Sequence, residues 1–221
     1  MLTLVLKHRQ SYKIIDTGKL ELWNGRKEQI AEVEEIHVPE DTQLEYYFVW
    51  VNRSEDRKLI IHLDGPGASA KLTGLFYSTE DQVINLNSTM IHHGPNTYGN
   101  TYVKGVLKDS AKARLSGMIK IDKGAHGSDD LLTERVLLLS PKARAEALPM
   151  LEIDANDVKA THAATVSQLN KIQLYYLQTR GVPLAEAQQL IVEGFFEEIL
   201  GLFPEDIKLS LQKTELPALL A

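Results

Sequence analysis

Cysteine is absent from the 221 residues. That excludes disulfides, a zinc finger, a thiol nucleophile and a metal cluster held by this chain's own thiolates. Long apolar runs are missing too, so nothing approaches a membrane span. The start, MLTLVLKHRQ, is too short and too quickly charged for a secretion signal, and a cytoplasmic location is expected. Basic charge is in deficit: 24 Lys and Arg against 30 Asp and Glu leave a net charge of −6. General attraction to nucleic acid or anionic lipid is therefore disfavoured. No Gly-Lys-Ser/Thr phosphate loop exists, and Gly65-Pro66-Gly67 and Gly94-Pro95 lack a strand–loop–helix setting, so any use of ATP falls to a partner. No Gly-x-Ser-x-Gly elbow is present, and scattered acids offer no recognisable catalytic pair. The expected protein is not an enzyme.

What is present reads as β structure followed by helices. In the first 40 residues LTLVLK and KLELW alternate like strands, while RKEQIAEVEEI suits either an acidic strand pair or a short helix. Residues 45–51, EYYFVWV, read as a buried strand and residues 59–63 as the next, closed by Gly65-Pro66-Gly67. Ala70-Lys71-Leu72-Thr73-Gly74-Leu75 then resembles Ala113-Arg114-Leu115-Ser116-Gly117-Met118, and Lys112-Ala113-Arg114 resembles Lys142-Ala143-Arg144. Strand-sized units of similar build, divided by polar turns, predict a mainly β fold with a β-helix over roughly residues 40–163. Gly105, Gly117 and Ala147 fit places where backbones bend or approach closely. A two-sheet sandwich or cupin-type jelly roll is the competing architecture.

The period changes from two to 3.6 near residues 165–167. In DVKATHAATVSQL, Val158, Ala160 and His162 alternate against Lys159 and Thr161. Ser167 is then the expected cap of a helix reaching Thr179, with Leu169, Ile172 and Tyr176 on one stripe. Pro183 opens a second helix, whose apolar stripe is Leu184, Ala187, Leu190, Ile191, Gly194 and Phe195. Pro204-Glu205-Asp206 opens a third, with Ile207 and Leu211 inward, before the apolar tail ELPALLA. The expected division is residues 1–40 as N-terminal strands or cap, 41–164 as β core and 165–221 as a helical domain. Such short helices must pack on the β part, on one another or on a partner.

Histidines are the residues that invite a chemical reading. His92 and His93 are adjacent, so on a strand they face opposite ways and cannot chelate one ion together. His62 or His126 from a neighbouring coil would be needed to complete a cupin-like metal site. The competing reading makes them structural. Asp129-Asp130 with Glu134 reads as a solvated turn, since no calcium-loop spacing accompanies it.

Three segments carry a family resemblance: HHGPNTYGNTYVKGVLKDSAKARLSGMIKID (92–122), LLLSPKARAEALPMLEIDANDVKATHAATVSQL (137–169) and YYLQTRGVPLAEAQQLIVEGFFEEIL (175–200). In order and spacing they resemble the SufB/SufD family of iron–sulfur cluster assembly scaffolds, nearer to SufD through LEI-x-A-x-DVK-x-x-H-x-ATV-x-QL. The resemblance implies a right-handed parallel β-helix followed by a small C-terminal helical domain. It implies helices that dock on a SufC-type ABC ATPase, through Leu169, Ile172 and Tyr176 on one helix and Leu184, Leu190, Ile191 and Phe195 on the next. It implies a β-helix that pairs with a second SufB- or SufD-like subunit, as a hetero- or homodimer. His162 occupies the position of the proposed cluster ligand. No cofactor is expected to stay bound, only a transient iron–sulfur cluster shared with the partner. Glu134 stands where SufB has its sulfur-accepting cysteine, and Ala160 stands where many SufD chains have a cysteine. The chain is also about half the usual family length and resembles a member lacking most of the N-terminal region. The alternative function is a small metal-binding β-fold enzyme using His62, His92, His93 or His126.

Overall fold

Alternating apolar residues and frequent turns produce short strands, and the structure, a computed structural model, shows how they stack. It describes residues 3–17, 20–23, 27–30 and 33–211. Small strands come first: β1 (Thr3–Val5), β2 (Ser11–Asp16), β3 (Leu20–Trp23), β4 (Lys27–Ile30) and β5 (Glu35–Val38). The long strands follow: β6 (Gln43–Val51), β7 (Glu55–Leu63), β8 (Ser69–Ser78), β9 (Val83–His92), β10 (Tyr98–Leu107), β11 (Lys112–Ile121) and β12 (Asp129–Leu138). β13 (Arg144–Ala147), β14 (Met150–Ile153) and β15 (Lys159–Gln168) close the β part.

From β5 to β13 successive strands alternate between two sheets. One runs β1-β5-β7-β9-β11-β13, with β14 also on β11, and the other runs β15-β12-β10-β8-β6-β2-β3-β4. Every ladder between coils is parallel; only β2–β3 and β3–β4 are antiparallel. This is a parallel β-solenoid of about five turns. The competing sandwich and jelly roll, both built from antiparallel sheets, are excluded. The two apparent repeats differ from the true one. Ala70 lies in the sheet opposite Ala113, and Lys112 pairs with Arg144 instead of Lys142. Sequence similarity followed the recurring composition of strand starts, whereas backbone pairing is set by coil length.

The corners explain how the coils stay in register. Asp41, Gly67, Asn96 and Gly127 each take a positive φ. The amide of each of the four donates to a carbonyl of the next coil: Pro66, Pro95, His126 and Asp157. Asx side chains tolerate that conformation, and glycine adopts it without strain. A Cβ on Gly67 would lie 2.6 Å from Asp41 Oδ1, and one on Gly127 2.5 Å from Asn96 Oδ1, so Asx and Gly alternate up the corner. Inside, Gly105 leaves room for the ring of Phe76 on the coil below, as the small-residue reading anticipates. Gly117 stands opposite Pro149, in the gap between β13 and β14 where the ladder is broken because proline donates no hydrogen bond.

The core lies between the sheets, filled by Ile14, Leu44, Tyr46, Phe48, Trp50 and Phe76 among others. A second apolar cluster sits on the outer face of the sheet that runs from β15 to β4, where Tyr47, Val49, Leu75, Tyr77, Val106 and Leu137 point away from the interior. α1 (Lys171–Thr179), α2 (Leu184–Leu200) and α3 (Glu205–Ser210) follow β15, and α2 covers that patch with Val192, Phe196, Ile199 and Leu200. Lys104, itself buried, anchors α2 by donating to Phe195 O and Glu198 Oε2, both at 2.7 Å.

Two expectations about the helices are corrected. Ser167 is a strand residue paired with Leu137, and the cap is Asn170, whose Oδ1 accepts from the amides of Ile172 and Gln173. The ladder to β12 holds the chain extended three residues longer than periodicity suggests, overriding the helix preference of Ala163 and Ala164. The buried residues of α2 are Ala187, Val192, Phe196, Ile199 and Leu200; of the anticipated stripe only Ala187 is fully buried, while Ile191 and Phe195 pack half-buried against the cluster on the sheet. α2 is apolar on two faces, and the sheet takes one. Leu211 is buried and Ile207 half-buried, as expected, while ELPALLA lies outside the described residues.

Because Phe196 joins α2 to the sheet, Phe196→Ala is expected to cost about 3–5 kcal/mol in chemical denaturation. A loss below about 1 kcal/mol would contradict the packing.

Candidate functional site

The two ends of the solenoid differ. At one, the antiparallel β3–β4 pair continues the sheet beyond β2. At the other, β15 pairs with β12 alone, so among the described residues one side of a ten-residue strand is free. Most of β15 is exposed, and Met150, Leu151, Ile153 and Val166 add exposed apolar surface around it. A long, uncovered edge is a template for pairing with another chain.

Strand register places His162 at this end. Tyr46, Leu72, Thr101, Leu132 and His162 form one inward-facing row from coil to coil. The first four are buried, whereas His162 is exposed, since no further coil covers its row. Beside it runs the row Phe48, Gly74, Val103, Glu134 and Ala164, and on its other side Leu44, Ala70, Gly99, Asp130 and Ala160. The two interior rows flanking Leu132 thus end in acids on β12 and in alanines on β15.

These acids are not the solvated turn that their sequence suggested. Asp130 and Glu134 are inward residues of β12, 1% and 0% exposed. Strand alternation is the signal that was available: Asp130, Leu132, Glu134 and Val136 share a face. Asp130 Oδ2 meets His92 Nε2 at 2.8 Å, and His92 Nδ1 meets Thr97 Oγ1 at 2.7 Å. Burial nonetheless pushes the Asp130 carboxyl up. Neither oxygen of Glu134 has a hydrogen-bond partner, and Gly117, facing it, leaves its carboxyl space. Burial raises the Glu134 pKa to about 7.

Of the four histidines weighed as a metal set, the structure brings two together. His62 and His93 converge with Asp64. His92 faces the interior on Asp130, opposite to His93 as adjacency requires, and His126 Nδ1 is instead paired with Asp157 Oδ1 at 2.6 Å. His37 and Asp64, which no motif marked, join the convergent group; the register of β5 on β7 places His37, and Asp64 follows β7 directly.

The helical residues form a groove. Leu137, Ser167, α1 and the outer face of α2 enclose about 800 Å³, lined by Ile172, Tyr176, Leu177, Leu190, Ile191 and Phe195. Ile172 is 78% exposed and Tyr176 56%, and α1 has no buried residue. Leu184 lies exposed and Leu169 half-buried nearby in sequence, outside the groove lining.

A profile described as SUF system FeS cluster assembly, SufBD core domain, matches residues 15–195, from the end of β2 through β15 and α1 into α2. The chain belongs to the SufBD family. It is 38% identical over 143 residues to the iron-sulfur cluster assembly protein SufD of Bacillus subtilis (strain 168), covering 65% of this chain and 33% of that one. A SufBD family protein of Mycobacterium tuberculosis (strain ATCC 25618 / H37Rv) is 31% identical over 153 residues, covering 69% and 18%. Another from the same strain is 34% identical over 145 residues, covering 62% and 36%. The chain therefore spans about a third or less of these relatives, and its similarity lies on the SufD side of the SufBD family. Among the described residues no helix is long and apolar enough to cross a membrane.

Glu134 gives a prediction with a definite sign. Unfolded, its carboxyl ionises from about pH 4.5, whereas folded it holds its proton to about 7. Stability is thus lost as pH rises between these values and stays reduced above them. Glu134→Gln is expected to stabilise the fold by about 2–3 kcal/mol at pH 8 and by nearly nothing at pH 4.5. Equal effects at both pH values would contradict the burial.

Proposed function

We propose that this SufBD-family chain is a non-catalytic scaffold subunit of SUF iron–sulfur cluster assembly. The observation that carries the reading is the position of His162 on an interior row of the solenoid, in the last coil, which no other coil covers among the described residues. A second SufB- or SufD-like subunit adds to the free edge of β15 and completes the interior there. His162 then presents an imidazole to a transient cluster at the join. A lone imidazole cannot hold a cluster, so thiolates come from the partner, this chain having none. The cluster is cargo.

The second contact is the groove between α1 and α2. Its exposed apolar lining suits a SufC-type ABC ATPase, which supplies the nucleotide chemistry for which this sequence has no loop. Docking through Ile172, Tyr176, Leu190, Ile191 and Phe195, with Leu169 and Leu184 at its margins, joins the ATPase to the same sheet that ends in β15. Movement of the ATPase is thereby transmitted to the subunit join through α2 and its Lys104 anchor.

Co-purification with the SufC-type ATPase of the same host tests the docking. Ile172→Glu with Leu190→Glu leaves the buried face of α2 intact and is expected to weaken binding at least tenfold; unchanged binding would refute it. In the assembled complex His162→Ala is expected to lower cluster formed per chain several-fold, and an unaltered yield would sink the ligand role.

A further inference from the structure

At a corner of the solenoid away from the interior rows, three imidazoles lie stacked. The centroids of His37 and His62 are 4.3 Å apart with rings 5° from parallel, and those of His62 and His93 are 5.3 Å apart at 6°. His37 and His62 are register partners on β5 and β7, and His93 follows β9 directly, its amide donating to Leu63 O. Asp64, next after β7, accepts from His37 Nδ1 through Oδ2 at 2.8 Å and turns Oδ1 to within 4.0 Å of His93 Nε2. His93 Nδ1 is held by Asp122 Oδ2 at 2.6 Å.

From this geometry we infer a binding site for a divalent first-row transition ion of the Zn²⁺ or Fe²⁺ class, held by His62, His93 and Asp64. Asp122 accepts the Nδ1 proton of His93, which fixes the tautomer of the neutral ring and leaves an Nε2 lone pair outward. That lone pair faces His62 Nδ1 at 3.0 Å. If His62 carries its proton on Nδ1, its Nε2 must be an acceptor, yet that atom is buried with no partner. If it carries the proton on Nε2, that N–H is equally without a partner and two lone pairs confront each other across the 3.0 Å gap. An ion between the rings relieves the second arrangement and uses both lone pairs. Tetrahedral coordination with bonds of 2.0–2.1 Å places ligand atoms roughly 3.3 Å apart. The separations of 3.0 Å and 4.0 Å from His93 Nε2 bracket that value. Two imidazoles and one carboxylate select a borderline transition ion over Mg²⁺ or Ca²⁺, and leave one position for water or a further ligand. Glu35 and His37 lie on the other side of His62 and form a second convergent set with it. The carboxylates Glu35, Asp64 and Asp122 supply the negative charge that a dication requires.

This site is independent of the scaffold reading, because it shares no residue with His162 or the α1–α2 groove. The test is titration of the metal-free full chain with Zn²⁺, and anaerobically with Fe²⁺, followed by calorimetry and by metal analysis after gel filtration. Saturable binding of about one ion per chain is expected. His62→Asn or His93→Asn should weaken it at least 100-fold, and Asp122→Asn about 10–100-fold, while His162→Ala leaves it unchanged. Side-chain nitrogen resonances of His62 and His93 in the unmodified chain should shift on titration, a readout that no variant's folding can confound. Absence of saturable binding, or binding indifferent to His62 and His93, overturns the site. Either result leaves ATPase docking and cluster yield as separate measurements.

Discussion

Parallel pairing of one coil on the next is the interaction on which this molecule depends. Each coil satisfies its backbone by bonding to the coil below and above, so the stack has no internal reason to stop. It holds register through corners where a left-handed Asx or Gly recurs on each turn, and through interior rows where a phenyl ring on one coil matches a glycine on the next. Such a stack needs a cover at each end. β3 and β4 extend the sheet by antiparallel pairing at one end, and at the other β15 is left with an open side.

The chemistry at the open end follows from the same construction. An ionisable group on an interior row is costly to bury unless it is paired. Asp130 and Glu134 occupy the coil before last, His162 the last, and one coil earlier the corresponding positions are Gly99, Val103 and Thr101. In these three rows the buried carboxylates thus enter at the coil before last, beside the buried His92 that faces Asp130. A neighbouring chain completing this end would deepen their burial, favouring the neutral acid and strengthening any contact they make in the low-dielectric join.

The sequence disclosed the class of fold through strand-sized units and turn residues, and the change from β to α structure to within a few residues. Periodicity puts the switch early because Ala163 and Ala164 favour a helix, and pairing with β12 overrides them. Coil register stayed hidden: similar strand starts recur in both sheets, so Ala70 and Ala113 look alike without being stacked. The same gap concealed which histidines meet: His62 and His93 stand out in the sequence with His92 and His126, but His37 does not, and the three stack only through register. The family resemblance pointed to His162, but its row, its exposure and its buried acidic neighbours come from the coordinates alone. For α2, apolar residues on two faces made the choice of buried stripe indeterminate until the outer patch of Tyr47, Leu75 and Tyr77 was seen beneath it.

The central claim is that the β15 end is built to be covered by another subunit of this family. Amide hydrogen exchange of the chain, alone and mixed with a SufB-type subunit from the same host, tests it most directly. The account predicts new protection concentrated in residues 159–168, where the free edge would gain a partner strand. Complex formation that leaves those amides exchanging at their free-chain rates would contradict it.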